Sequence, residues 1–315
     1  MNALQTILGQ AARHGRAILV FGLVVGILSP GLAGTMKSWI AEMVTGLLFL
    51  SALRVGPRQA VGALGDLGKS LALAAIFQMV MPVAAILALG LSGRHGLPAT
   101  GLVLMAAASP ISGSPNLAIL TGNDPAPALR QLVLGTALLP VTVVPVFWLA
   151  PSLGTPAVIF GSAARLLLII FAAAAVAFLL RATIFRHPAP ASLAAIDGLS
   201  AILMAVLVVG LMSAVGPALS GDPGALALNL AIAIAANFAL QIGAFLILRR
   251  LDPADAAPLA IVAGNRNIAL FLTALPSTIT DPLLLFIGCY QVPMFLTPIV
   301  LDRLYRRSAA QDRSA

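Results

Sequence analysis

The chain has 315 residues, of which 60% are hydrophobic and only 9% are charged, and its formal net charge is +8. A soluble domain carries about 25% charged residues, so this composition excludes a soluble fold and predicts an integral membrane protein. The apolar segments leave no stretch for a separate soluble domain, and no signal peptide is expected. In a membrane protein the positive charge indicates orientation, so no nucleic-acid partner is expected.

Ten apolar segments, each long enough to cross a bilayer, follow one another along the chain. A spanning helix needs about 20 mostly apolar residues. The predicted spans are 15–33, 38–55, 68–92, 97–121, 126–150, 163–185, 192–218, 225–248, 255–279 and 282–303. Turns that contain proline or glycine separate most of them. The predicted fold is therefore an all-α membrane protein with ten transmembrane helices.

The distribution of lysine and arginine predicts the orientation of these spans. With the N-terminus inside, 14 of the 18 basic residues fall in inner segments and three, Lys37, Arg94 and Arg165, in outer ones. The remaining one, Arg266, lies within the membrane. Because basic residues concentrate in cytoplasmic loops, both termini are expected in the cytoplasm. The expected location is the bacterial inner membrane, with the lipid bilayer as a partner and the oligomeric state left open.

Polar residues interrupt two of the spans near their middles. The first break, residues 109–116, reads Ser-Pro-Ile-Ser-Gly-Ser-Pro-Asn, and the second, residues 264–267, reads Gly-Asn-Arg-Asn. Lipid cannot satisfy freed backbone groups, so such breaks must be buried in protein or line a cavity. A pair of breaks, one in each half of a chain, points to the binding site of a transporter.

The two halves of the sequence also match in their prolines. The fifth span carries Pro140 and Pro145, and the tenth carries Pro293 and Pro298. Pro140 lies 24 residues after Asn116, and Pro293 lies 26 residues after Asn267. Five spans in each half make equivalent spans run in opposite directions, so residues 1–150 and 151–315 are predicted to form two inverted repeats.

The first break has the pattern of a helix start. Ser114 is predicted to cap a half-helix whose first residue is Pro115, with its positive dipole end directed into the protein. Ser112, Ser114 and Asn116 add hydrogen-bond donors and acceptors there. The alternative is a structural kink whose polar groups only satisfy the broken backbone.

The second break contains a charge, Arg266. A charge at the centre of a spanning helix costs about 2.5–3.5 kcal/mol on insertion scales, so it usually faces a cavity or a partner. No acidic residue lies nearby in sequence at similar depth, and a guanidinium binds carboxylate or sulfonate well. Asn265 and Asn267 flank it. Arg266 is therefore predicted either to bind an anion or to tie the carbonyls of the broken helix.

The cysteine and histidine residues of the sequence do not form the pattern of an enzyme active site or a metal centre. The single cysteine, Cys289, lies in an apolar span and can form neither an internal disulfide nor a metal site alone. The three histidines fall in loops or near span ends. The chain is therefore not expected to be an enzyme, and no cofactor is expected.

At the two breaks the chain resembles the bile acid:sodium symporter family. The segments that carry the resemblance are 109–124, 262–270 and the pair Met81-Pro82, which follows Phe77 and Gln78. The resemblance implies two inverted five-helix repeats whose discontinuous helices 4 and 9 cross at the centre. It also implies a core of helices 3–5 and 8–10 that moves against a panel of helices 1, 2, 6 and 7, and an organic anion as substrate.

The chain departs from the family where the resemblance implies sodium ligands. Asn116 keeps an asparagine of the family, but Pro115 stands in place of a serine and Val262 in place of a glutamate. Arg266 and Phe77 each stand in place of a glutamine, and next to Phe77 only Gln78 could supply that side chain. The fifth-helix positions, which carry hydroxyls in the family, fall near Ala128 or Leu129 and Leu132 or Val133. Sodium sites need several oxygen ligands. Sodium coupling is therefore expected to be lost, and sodium is a doubtful cofactor.

The expected function is transport of a small organic anion, such as a carboxylate, a sulfonate or a steroid-like acid, by alternating access without sodium. The expected substrate-binding residues are Gln78, Ser112, Ser114, Asn116, Asn265, Arg266 and Asn267. One alternative is a sodium-coupled symporter with a relocated site at Gln78, Asn116 and backbone carbonyls. Another alternative is a membrane receptor or scaffold that does not transport.

Overall fold

The protein is described by a computed structural model that covers residues 3–62 and 67–306, and every regular element within those residues is a helix. The helices of the first half are α1 (Ala3–Arg13), α2 (Gly15–Leu28), α3 (Pro30–Lys37), α4 (Ile40–Gly62), α5 (Leu67–Ala75), α6 (Met81–Leu91), α7 (Leu97–Ala107), α8 (Ser114–Leu120) and α9 (Ala126–Trp148). Those of the second half are α10 (Pro156–Thr183), α11 (Pro190–Leu211), α12 (Val215–Gly221), α13 (Pro223–Leu251), α14 (Pro253–Gly264), α15 (Ser277–Thr280) and α16 (Leu284–Val300).

Seven helical segments of the described chain are long and apolar enough to cross a membrane, and the pair α1–α2, bent by 80°, makes an eighth if it counts as one span. The seven are Ile40–Gly62, Leu67–Leu91, Ala126–Trp148, Pro156–Thr183, Pro190–Gly221, Pro223–Leu251 and Ser277–Val300. The predicted all-helical membrane protein is thus confirmed. The apolar helices α7 and α14 are too short to count, because each stops at one of the breaks.

Helix bounds differ from the predicted spans at identifiable residues. The helix α4 runs past the predicted end at residue 55, but it kinks at Gly56. Gly56 has a φ of 71° and is followed by Pro57. The apolar part of α4 therefore ends as predicted. The helix α10 begins at Pro156, earlier than the predicted residue 163, because Pro156 opens its first turn.

The helices pack in two groups. In the first group, α11 packs against α1, α2, α3 and α4, and α10 packs against α4. In the second group, α13 packs against α14 and α16, while α9 packs against α5, α8 and α14. The groups touch where α9 meets α10, where residues 268–273 meet α4, and where α16 meets α11 and residues 212–214. Both breaks lie in the second group.

Small residues let α2 and α11 approach closely within the first group. A Cβ atom at Gly22 would lie 2.6 Å from the carbonyl oxygen of Ala205, and one at Gly26 would lie 2.9 Å from that of Val209. Such contacts between backbones are how small residues drive helix association in membranes, where lipid is as apolar as the side chains.

Replacing Gly22 with alanine therefore tests this interface. We expect Gly22→Ala to destabilise the protein by about 1–3 kcal/mol, because the methyl group overlaps a backbone atom that cannot move freely. The measurement is thermal unfolding of the purified protein in detergent. The control is Gly161→Ala on α10, where no atom of the described chain outside its own helical turn lies within 4 Å of the new Cβ and no loss is expected. Equal melting temperatures for the two variants would contradict the packing described.

Candidate functional site

The two breaks meet and pair with each other. Pro110 and Arg266 form an isolated antiparallel bridge. On either side of it, the Asn267 N–H donates to the Ser109 carbonyl at 2.7 Å and the Ile111 N–H donates to the Asn265 carbonyl at 3.1 Å. Backbone groups that each break frees are thus satisfied by the other break, as burial within a membrane requires. We call these two paired segments, residues 109–116 and 264–267, the crossing.

Proline and glycine set where the first break begins and ends. The helix α7 ends at Ala107, and Ala108 is extended (φ −66°, ψ 156°) ahead of Pro110. The helix α8 begins at Ser114 with Gly113 at its N-cap, and no side chain caps it. The prediction that Ser114 is the cap is therefore wrong by one residue. Ser114 lies in the first turn instead, where its buried hydroxyl has no hydrogen-bond partner within the described chain.

The second break opens more abruptly. The helix α14 ends at Gly264, and Asn265 is extended (φ −101°, ψ 93°). A Cβ at Gly264 would lie 2.5 Å from the carbonyl oxygen of Asn237, so only glycine fits at this close approach. After Asn267 the chain forms a short 3₁₀ helix, residues 268–273.

Arg266 is fully buried at the crossing and donates to carbonyls of three different elements. Its Nη2 bonds the carbonyl of Phe77 and, at 3.0 Å, that of Ala106, and its Nη1 bonds the carbonyl of Val262 at 3.4 Å. The guanidinium also lies 5.8 Å from the centre of the Phe77 ring, a cation–π contact. Arg266 thus ties the end of α7, the last turns of α14 and the segment 76–80 that joins α5 to α6.

The charge of Arg266 is compensated by dipoles rather than by a carboxylate. Among the residues that the structure describes, it forms no ion pair, and its Nε has no hydrogen-bond partner. The carbonyls of Ala106 and Val262 belong to helix ends, where the dipole is negative and a cation is favoured. This arrangement leaves a net positive charge at the crossing.

Tyr290 on α16 fixes the backbone of the second break. Its hydroxyl donates to the Gly264 carbonyl and accepts from the Arg266 backbone N–H at 2.9 Å. Sequence reasoning missed this residue. The available signal was that Tyr290 is one of only two tyrosines in the chain and lies in an apolar span, where a hydroxyl needs a partner.

A network of side-chain amides supports the same break from α13, and sequence reasoning missed it as well. Asn237 donates to the Gly264 carbonyl at 2.6 Å, and Gln241 donates to Asn237 at 2.6 Å and to Thr297 at 3.0 Å. Thr297 donates to the Oδ1 of Asn265 at 3.2 Å. Two amides four residues apart share one face of a helix, and in an apolar span that spacing indicates a buried polar contact.

Gln78 supports the first break in a comparable way. Its Nε2 donates to the Gly135 carbonyl on α9 at 2.8 Å, and its Oε1 accepts from Thr142 at 2.9 Å. A Cβ at Gly135 would lie 2.9 Å from the Cδ of Pro110, so α9 lies directly against the break. Gln78 is therefore buried and fully engaged with protein.

The seven predicted binding residues divide into two sets. Four are buried, namely Gln78, Ser114, Asn265 and Arg266. Three are accessible and have side chains without a hydrogen-bond partner in residues 3–62 and 67–306; we call Ser112, Asn116 and Asn267 the accessible triad. Ser112 and Asn267 are half-buried and Asn116 is exposed. The crossing therefore presents one hydroxyl and two amides outward and keeps its cation inside.

Comparison of the sequence with models of known families gives no match, and comparison with curated proteins gives none either.

The hydroxyl of Tyr290 provides a direct test of the crossing. Tyr290→Phe keeps the ring but leaves the Gly264 carbonyl and the Arg266 N–H without this partner, so we expect a loss of about 1–3 kcal/mol in unfolding free energy. Thermal unfolding measures the change. The comparison variant, Tyr305→Phe, removes a hydroxyl that donates to Gln241 of the amide network (3.1 Å) but leaves the backbone groups of the break bonded, so it is expected to cost less. A Tyr290→Phe variant as stable as wild type would rule out this role.

Proposed function

We propose that the chain is a secondary transporter of an organic anion that works by alternating access and does not depend on sodium. The observation that carries this proposal is the fully buried guanidinium of Arg266 where two broken helices meet, with no carboxylate partner in the described chain. A fixed positive charge at such a crossing favours a carboxylate or sulfonate nearby.

The proposal includes ten spans with both termini in the cytoplasm. The fourth span consists of α7 and α8, and the ninth consists of α14 and residues 268–273, each joined across its break. The ion pairs support this topology, because each joins two residues that it places on the same side. The pairs that join different elements are Lys37–Asp281, Arg54–Asp197, Lys69–Asp252, Lys69–Asp255 and Arg130–Asp255.

The two helix groups support a division into panel and core. The first group holds proposed spans 1, 2, 6 and 7, and the second holds spans 3–5 and 8–10. The crossing lies in the second group, and the segment 268–273 that follows it packs against α4 of the first. We therefore place the substrate where the two groups face each other, beside the accessible triad.

We propose that the chain is related to the bile acid:sodium symporter family. Val262 and Phe77 then stand at positions where the family has sodium ligands. The carbonyls of these two residues accept hydrogen bonds from the Arg266 guanidinium. We infer that this guanidinium takes the place of a sodium ion. Its charge then stays in the protein throughout the transport cycle instead of travelling with the substrate.

The accessible triad supplies the direct contacts to the substrate in this proposal. The amide groups of Asn116 and Asn267 and the hydroxyl of Ser112 donate hydrogen bonds to the anion, while Arg266 acts from behind them through its charge. Arginine stays protonated in proteins, so Arg266 carries no coupling proton. Uniport, exchange and proton coupling through another group all fit this site.

Uptake into proteoliposomes tests whether sodium is needed. A thermal-shift screen of small carboxylates, sulfonates and steroid anions first identifies a ligand. We expect uptake of that ligand to be the same with a sodium gradient as with a potassium gradient. Stimulation by the sodium gradient would overturn the proposal in favour of a relocated sodium site, and binding without any uptake would indicate a receptor.

The accessible triad gives a second test. We expect Asn267→Ala and Asn116→Ala each to weaken ligand binding about tenfold or more, because each loses a hydrogen bond to a charged group. Isothermal titration measures the dissociation constant. The matched control is Asn229→Ala on α13, whose side chain bonds the carbonyl of Ala225 on its own helix (2.8 Å) and no other group of residues 3–62 and 67–306. If Asn267→Ala and Asn116→Ala bind the ligand as tightly as Asn229→Ala and the wild type do, the substrate does not contact the triad.

A further inference from the structure

The helix α1 is not part of a straight first span. It has 11 residues and meets α2 at an angle of 80°. It packs against α11 and touches α2, both members of the first helix group. The described chain therefore begins with a short helix that turns sharply away from the axis of α2 and lies against α11.

The side chains of α1 divide into an apolar face and a polar face. Leu4, Leu8 and Ala11 recur at helical spacing, and Ala11 is buried while Leu8 is half-buried. Leu4 is 65% exposed, and Ile7 beside it is 60% exposed. The apolar face of α1 therefore extends beyond its contact with α11, and the rest of the described chain leaves these two large side chains uncovered.

A neighbouring ion pair places α1 at the edge of the apolar layer. The carbonyl of Leu8 lies against Gly198 of α11, so closely that a Cβ there would collide with it. The adjacent Asp197 pairs with Arg54 at 2.8 Å, and both side chains are about two-fifths exposed (39% and 43%). Exposed charges do not lie in hydrocarbon. The helix α1 therefore lies near the boundary between the lipid chains and the headgroups.

The charged residues of α1 and of its junction with α2 are all positive. Arg13 and Arg16 flank its junction with α2, both exposed, and neither forms an ion pair in the described chain. The first acidic residue of the sequence is Glu42. Exposed apolar side chains in the first half of the helix, with basic residues at its end, are typical of an interfacial helix, and the basic residues attract anionic headgroups.

We propose that α1 is an interfacial helix that binds anionic phospholipid. Leu4 and Ile7 insert between acyl chains, and Arg13 and Arg16 bind the phosphate groups of the cytoplasmic leaflet, on which side the proposed topology places them. Because α1 packs against α11 and α2, both of the first helix group, this contact holds that group to the membrane surface. The lipid contact itself does not depend on the proposed transport.

Spin labels at two positions of α1 test its depth. In a Cys289→Ala background, Ile7→Cys and Gln10→Cys carry the label in nanodiscs of neutral or anionic phospholipid. We expect the label at position 7 to collide mainly with oxygen, which concentrates in the acyl chains, and the label at position 10 mainly with a water-soluble nickel chelate. Equal exposure of both labels to the chelate would overturn the proposal. So would immobilisation at position 7 that grows with protein concentration, since a second copy would then cover the face.

The charges are tested through stability. We expect anionic lipid to raise the melting temperature of the wild type relative to neutral lipid, and the Arg13→Gln/Arg16→Gln double variant to lose most of this rise. The control is the Arg13→Lys/Arg16→Lys double variant, which keeps the charge and is expected to keep the rise. A rise that survives in the glutamine variant, or is lost in the lysine variant, would show that headgroup charge is not what α1 recognises.

Discussion

A backbone group freed inside a bilayer must find a partner in the protein, and the centre of this molecule is built on that requirement. Each of two long apolar segments opens near its middle, and the open ends pair through two backbone hydrogen bonds on either side of Pro110 and Arg266. Carbonyls that the pairing leaves over are taken up by the side chains of Arg266, Tyr290 and Asn237. The breaks are therefore stable only together.

The position of Arg266 relates the structural role of the crossing to its electrostatic role. The sequence left two alternatives for this residue, an anion site and a tie between broken helices. Its hydrogen bonds are those of a tie, because they all end on carbonyls. The carbonyls that accept these bonds carry no net charge, and no carboxylate of the described chain pairs with Arg266. The same residue can therefore hold the crossing together and give it the positive charge on which the proposed anion transport depends.

The sequence predicted the parts of the site that are local and missed those that are not. Prolines and polar residues inside apolar segments locate both breaks, because lipid makes such residues costly. The partners of each break are more than 20 residues away in sequence or lie in the other half of the chain, as with Tyr290 and Asn237, so spacing alone does not identify them. The cap predicted at Ser114 was wrong because Gly113 takes that position, a shift of one residue that composition does not distinguish.

The same contrast applies to the fold. Hydropathy finds ten apolar stretches, whereas continuous helices of the described chain give seven spans or eight, because α7 and α14 each end at a break. The 80° bend between α1 and α2 was not predicted either, since His14 and Gly15 at the junction permit a bend but do not require one.

The most direct test of the central claim, that Arg266 permanently holds the position of a coupling cation, is an experimental map of the crossing. The structure of the purified protein would be determined once in sodium buffer and once in potassium buffer, each time at a resolution that shows bound ions. The account predicts the same result in both: the guanidinium bonded to the carbonyls of Phe77 and Ala106, with no ion beside Val262. A sodium ion bound at those carbonyls, with the Arg266 side chain displaced, would contradict it.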